Sequence, residues 1–310
     1  MTQLGRVLVL GGTGHYGRRI VSSLAAKGVS VRVLTRSVAR AGTGFAETVE
    51  LMEGNLQSGE DVARALQGVD RLVVAVSAFT RSQIREMAAI ERDAVIAALN
   101  QAKAAGVKRV VYISVFDIRP EIADRLHLDS ARIKLQVEAY LRSSDFDWTV
   151  LGAPPSMEIF FAMVRGDRMV VPGGGPKAVP TISPADLGEI AAQAVLRDDL
   201  GKQRIRLAGP ELLSFPEAAR RLSAVYGKTI RFAAIPSILP KIAWYATWPL
   251  ARLSRSVDYA HTILGFAQLL KVFPQDLALA SVDDYEELVS TFGYTPTTLE
   301  MEAKRRLGPG

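Results

Sequence analysis

Two rhythms of apolar residues alternate along the first half of the chain. Unbroken apolar runs bounded by turn residues, "RVLVLGG" (6–12), "SVRVLTR" (30–36), "VELMEG" (49–54), "RLVVAVS" (71–77), "RVVYIS" (109–114) and "WTVL" (148–151), predict strands buried on both faces. Between them "YGRRIVSSLAAKG" (16–28), "EDVARALQG" (60–68) and "SQIREMAAIERDAVIAALNQAKAAG" (82–106) carry helical spacing. In the last, Ile84, Met87, Ala88, Ala94, Val95, Ala98, Leu99 and Ala102 mark one face, with Glu91 the exception. Strands alternating with crossover helices predict an α/β, doubly wound parallel sheet of the Rossmann type over residues 1–152.

Beyond residue 152 the rhythm becomes irregular: Pro154 and Pro155, the turn "PGGGP" (172–176), and short strands "RMVV" (168–171) and "RIRLAG" (204–209). This predicts a smaller substrate-binding lobe over 153–310, packed on the first, with the strand near 204–209 returning to the sheet and a ligand between the lobes. Ser214 with Glu217, and Thr297 with Glu300, have the spacing in which side chains cap a helix start.

The first strand ends in Gly11, Gly14 and Gly17 and opens a helix. A helix start at a sheet edge presents free amides and a positive dipole end, and glycines let a diphosphate approach the backbone. The spacing G-x-x-G-x-x-G is a variant of the dinucleotide fingerprint, and its place between strand and helix is the context that fingerprint requires. The second strand ends in Thr35, Arg36 and Ser37, where a preference for NAD would place an acidic residue on the ribose hydroxyl. The planar fork of Arg36 suits a 2′-phosphate, so NADP(H) is the expected cofactor.

Composition narrows the classes further. At 310 residues and 48% hydrophobic, the chain can bury a full core. It has no cysteine, so it holds neither disulfide nor thiolate metal site, and with no secretory signal before the first strand the expected location is cytoplasmic. A net charge of +6 favours anionic ligands, but neither zinc-finger spacing nor an RNA-binding aromatic signature points to nucleic acid. His15, His127 and His261 are scattered, with no H-x-x-x-H pair and no G-x-S-x-G elbow, which argues against a bound metal and against a hydrolase.

With "LVLGGTGHYGRRIV", "VRVLTRS", "GNLQSGEDVARALQGVD", "RVVYISV", "IKLQVEAYLRSSDFDWTVLGAPPSMEIF", "TISPADLGEIAAQAV" and "FGYTPTTLEMEA" in view, the sequence resembles the atypical short-chain dehydrogenase/reductases, in particular the NmrA-like and isoflavone-reductase-like group. The resemblance runs over nearly the whole chain and implies a seven-stranded sheet with the cofactor over its strand ends. It places Thr13, His15 and Tyr16 around the pyrophosphate, Asn55 and Leu56 by the adenine, and Ala75, Val76 and Ser77 behind the ribose. Ser114 would sit near the nicotinamide, and the segment from Ala153 and Pro154 to Ser156 would close over its amide.

Members of that superfamily typically carry Tyr-x-x-x-Lys, whose lysine lowers the phenol pKa for proton transfer. Here Lys134 is present, but Ser130 stands where the tyrosine would be. Lys134 would then polarise a carbonyl or hold the nicotinamide ribose in an NADPH-dependent reductase of a small apolar carbonyl, enone or quinone, with Tyr112, Ser114, His127 and Tyr140 as candidate donors. The alternative is a non-catalytic NADP(H) sensor that signals to a protein partner. A third reading of Lys134 is an exposed helix lysine paired with Glu138 one turn on. In "ILPKIAWYATWPLARLSR" (238–255), Trp244, Tyr245 and Trp248 lie among Lys241, Arg252 and Arg255. Core or interlobe packing is the first expectation for it, a substrate lid the second, and membrane-surface contact the least favoured.

Overall fold

A computed structural model describes residues 5–42, 44–272 and 282–307. The first half runs β1 (Arg6–Leu10), α1 (His15–Ala26), β2 (Val31–Thr35), α2 (Val38–Ala41), β3 (Val49–Glu53), α3 (Gly59–Ala65), β4 (Val69–Val74), α4 (Ala94–Ala104), β5 (Arg109–Val115), α5 (Pro120–Arg125), α6 (Asp129–Arg142) and β6 (Asp147–Ala153). The second adds α7 (Glu158–Ala162), β7 (Val164–Arg165), β8 (Arg168–Pro172), β9 (Val179–Pro180), α8 (Pro184–Leu196), β10 (Gln203–Arg206), β11 (Leu212–Leu213), α9 (Phe215–Tyr226), β12 (Arg231–Ile235), α10 (Ile238–Thr247), α11 (Arg255–Val272), α12 (Val282–Phe292) and α13 (Leu299–Leu307).

Seven parallel strands form the central sheet in the order β10-β6-β5-β4-β1-β2-β3. Alternation along β1 sends Val7 and Val9 into one core, with Ile20, Val21 and Leu24 of α1 and Leu187 and Ile190 of α8. Leu8 and Leu10 enter the other, with Val62 of α3, Leu99 of α4 and Val137 of α6. The direction of winding reverses between β1 and β4, the switch point at which such sheets leave a crevice beyond their strand ends.

The two lobes interleave along the chain. Residues 184–206 supply α8 and β10 to the sheet layer, and Leu288 and Phe292 of α12 join the same core. The smaller lobe has its own core, in which Met169 and Val171 of β8 pack on Phe160, Phe215, Leu222 and Leu299. Ser214 caps α9 as its spacing predicts, its Oγ accepting from the Glu217 amide at 3.3 Å. At α13 the cap moves by one residue: Thr298 Oγ1 accepts from the Met301 amide at 3.4 Å. Thr297 instead donates its amide (2.7 Å) and hydroxyl (2.5 Å) to buried Asp186.

The helix expected over 82–106 is not continuous. A 3-10 turn at Ile84–Glu86 and a π turn at Ala89–Asp93 precede α4. The π turn carries Glu91, whose carboxylate is buried toward the sheet. That burial is the physical reason an acidic residue interrupts the apolar stripe.

Candidate functional site

The glycine turn shows what must come close to this backbone. Gly11 has φ +80°, and a Cβ there would lie 2.5 Å from the Ala75 carbonyl oxygen. A Cβ on Gly17 would lie 2.1 Å from the Gly11 oxygen, so this glycine lets α1 rest directly on the turn. The Gly14 amide donates to Gly11 O at 2.9 Å. Gly14 starts α1 with no side-chain cap, and the first turn holds no acidic residue. The first-turn amides and dipole are therefore left for an external anion. Arg18 ties the turn down, donating to Thr13 O at 3.2 Å while its guanidinium lies 4.8 Å from the Phe45 ring centre.

Around this turn stand the ends of neighbouring strands. Arg36, after β2, is exposed, and its side chain has no partner among the described residues. After β3, the Asn55 amide donates to Asp61 (2.8 Å) and its Oδ1 accepts from Gln57 (3.1 Å), while Leu56 packs on the core below. After β4, the Ala75 amide donates to Leu10 O at 2.9 Å, Val76 is buried and Ser77 is exposed. Ala153 and Pro154 are buried at the end of β6. His15 and Tyr16 are drawn toward the segment that follows: His15 Nε2 lies 3.0 Å from Ser156 Oγ and its Nδ1 3.1 Å from Glu158. Burial raises the Tyr16 pKa and lowers that of His15, where Glu158 opposes the shift.

α6 lays Lys134 across the ends of β4 and β5. Its ammonium donates to Val76 O at 3.3 Å and Ile113 O at 3.5 Å, and pairs with Glu91 at 3.3 Å. Glu91 is 1% exposed and also accepts the Ala78 amide at 2.6 Å, so one carboxylate fixes both the lysine and the loop after β4. Glu138 is not the lysine's partner; it pairs with Arg142 and Arg204, each at 3.1 Å. Ser114, beside Ile113, is buried with no partner for its hydroxyl among the described residues.

The remaining candidate donors are placed elsewhere. Tyr112 lies under Lys134, its ring centre 5.6 Å from Nζ, with its hydroxyl enclosed and unpartnered among the described residues. Burial, with the Glu91 and Glu138 charges adding to it, raises its pKa and keeps it a neutral phenol. Tyr140 turns to α4, donating to Asn100 Oδ1 at 2.6 Å. His127 Nδ1 lies 3.3 Å from His261 Nε2, in the aromatic layer of α10 and α11. Two residues near the cradle went unassigned from sequence: Glu91, whose signal was a carboxylate on an apolar face, and Phe79. The Phe79 ring lies 5.8 Å from Tyr259 and 5.2 Å from Phe266, so α11 and not α10 stands over the loop after β4.

A family model described as NAD(P)H-binding matches residues 11–198, from the glycine turn through α8. The chain belongs to this NAD(P)H-binding family. It is 28% identical over 233 residues to an NAD(P)H azoreductase of Xenophilus azovorans, covering 74% of this chain and 77% of that protein. Its fold is that of an NADPH-dependent quinone oxidoreductase of Escherichia coli solved with NADPH (TM-score 0.72, 22% identity, 97% of this chain and 100% of that one). It is likewise that of NmrA, a negative transcriptional regulator solved with NADP (TM-score 0.68, 17% identity, 98% and 95%). The sheet order and the glycine turn thus meet the resemblance to the NmrA-like group read from sequence.

Proposed function

We propose that the protein is a reductase that uses NADPH to reduce a small apolar carbonyl compound, enone or quinone. The observation that carries this reading is the fixed position of Lys134, whose ammonium is oriented by two strand-end carbonyls and a buried carboxylate at the crevice edge. Bound there, the nicotinamide would supply a hydride. The free first-turn amides of α1 hold the diphosphate, and Arg36 clasps the 2′-phosphate, which sets NADP above NAD. Ala75 to Ser77 back the ribose. Lys134, its three N–H groups directed at Val76 O, Ile113 O and Glu91, sets a fixed positive charge beside the ribose and facing the substrate oxygen as charge develops on it. Ser114 Oγ, enclosed like the Tyr112 hydroxyl and without a partner among the described residues, would reach the nicotinamide amide only if its cover opens when the cofactor binds. Phe79, Tyr259 and Phe266 shield the substrate side from water. Tyr112 serves as the floor beneath Lys134. An NAD(P)H azoreductase among the relatives and an NADPH-dependent quinone oxidoreductase among the fold neighbours support a reductase of small organic acceptors.

One observation favours a second reading. With Ser130 in place of the tyrosine and the Tyr112 hydroxyl enclosed, the phenol that would pass a proton is missing, as suits a protein that senses NADP(H) for a partner. NADPH oxidation against a panel of quinones, enones and aldehydes separates the two. In a reductase Lys134→Met lowers kcat/KM by about a hundredfold, the scale of lost general acid catalysis. Tight NADPH binding with no consumption across the panel favours the sensor.

A further inference from the structure

α10 turns most of its apolar surface outward. Trp244 alone among its large aromatic residues faces in: it is 7% exposed and stacks on His261 of α11, ring centres 5.3 Å apart at 6°. His261 Nδ1 lies 3.1 Å from both Trp244 O and Thr247 Oγ1, locking that inner face to α11. Ile238, Leu239, Ile242 and Tyr245 of α10, with Trp248, Leu250 and Leu253 in the turns that follow it, are all exposed, seven of the twelve large hydrophobic side chains exposed among the described residues. Ile238, Ile242, Tyr245 and Trp248 follow at steps of four, three and three residues, which makes one stripe along the helix. A patch of this kind on a folded surface marks something it binds.

Charge selects the occupant. Residues 218–257 contain no acidic residue. Lys241 and Arg252 are exposed on this segment, and Arg125 borders a cavity of about 530 Å³ that it shares with Lys241, Trp244, Tyr245 and Trp248. None of these three cations has a side-chain partner among the described residues. A second copy docked through the same face would bring those cations against one another, which like-charge repulsion disfavours. No described helix is long and apolar enough to cross a membrane, but a short helix with an apolar stripe, Trp and Tyr at its edge and flanking cations suits one lying in a bilayer surface.

We propose that residues 238–253 dock the protein on an anionic lipid surface, the stripe entering the acyl boundary while Lys241, Arg252 and Arg125 meet headgroup phosphates. This placement is independent of whether the crevice turns over substrate.

Sedimentation of the full chain with vesicles tests it. The protein should pellet with mixed phosphatidylcholine–phosphatidylglycerol vesicles and roughly a hundredfold more weakly with phosphatidylcholine alone, the scale expected when three cations act near charged lipid. The double variant Trp248→Ser, Leu253→Ser should lose at least about tenfold in binding to the mixed vesicles by the same apolar-burial argument, with melting temperature and NADPH affinity unchanged. Of the three tryptophans Trp148 and Trp244 are buried, so a blue shift of emission on adding mixed vesicles should vanish in Trp248→Phe. Absence of binding to mixed vesicles overturns the proposal, as does undiminished binding of the double variant. A dimer in vesicle-free solution that Trp248→Ser dissolves also overturns it, in favour of a second copy. A soluble protein that binds the stripe and leaves vesicles unbound overturns it as well.

Discussion

The crevice at the strand ends and the aromatic layer of α10 and α11 are built on opposite terms. In the crevice main-chain atoms make the close contacts: Gly17 lies against Gly11 O, Gly11 against Ala75 O, and Lys134 on Val76 O and Ile113 O. In the α10 layer side chains make them, and which way each aromatic ring points decides its role. A residue forced by the backbone has few substitutes, so it can be read from sequence. A residue set by packing on a helix that is apolar on both faces leaves its direction open.

The sharpest way to break that contrast is to compare two tryptophans one turn apart. Trp244→Ala removes a ring stacked on His261 and tilted against His127 and should cost about 3–5 kcal/mol in denaturant unfolding, as for other buried aromatic truncations. Trp248→Ala removes a side chain 60% exposed, and a change of about 0.5 kcal/mol or less is expected for such a surface site. Equal costs would mean that the stripe is part of the core.

On the crevice side, Gly17→Ala sharpens the same point. Its Cβ would meet the Gly11 carbonyl at 2.1 Å, so α1 must retreat from the turn, at about 1–3 kcal/mol for overpacking. NADPH affinity, read by calorimetry, should fall together with stability. Stability lost with affinity intact would detach the turn from the diphosphate. Next in size, Arg36→Asp should weaken NADPH by about ten- to a hundredfold, the worth of charge-assisted hydrogen bonds, while NADH is unaffected or improved. Equal losses for both cofactors would remove Arg36 from the 2′-phosphate.

The same contrast explains what the sequence made legible. Lys134 entered through the family resemblance, whereas the parallel sheet and the glycine turn followed from strand runs, turn glycines and spacing, because each of these is a local constraint. The lysine's partner did not: Glu138 sits one turn away in sequence, whereas Glu91 reaches Lys134 only because a π turn rotates it toward the sheet, a tertiary event no periodicity encodes. Glu91 was nevertheless visible as the carboxylate on an apolar face. Tyr112 shows the converse. A tyrosine near the end of a strand reads as a donor, yet alternation along β5 turns it into the core that also holds Val110 and Val150, where its hydroxyl is enclosed. The outward turn of α10 was hidden because Ile238, Trp244 and Trp248 are equally apolar.

The smallest expected effect separates the lobes by acid. Glu300 of α13 accepts two hydrogen bonds from the Arg221 guanidinium of α9 in one bidentate ion pair, which holds its carboxyl down at about 2 from an ordinary 4.5. A carboxylate whose pKa is lower folded than unfolded contributes stability in full above its unfolded value, and loses it as pH falls toward the folded one. The window is therefore from about pH 4.5 down to about 2. Because the carboxylate is a third exposed, solvent screening brings the contribution to about 1 kcal/mol. Glu300→Gln should flatten the acid limb of unfolding by that amount and leave NADPH affinity at neutral pH unchanged, since α9 and α13 pack in the smaller lobe's own core. An acid limb unchanged by the substitution would place the acid-sensitive contacts outside this pair, and a change in NADPH affinity would couple the smaller lobe to the glycine turn.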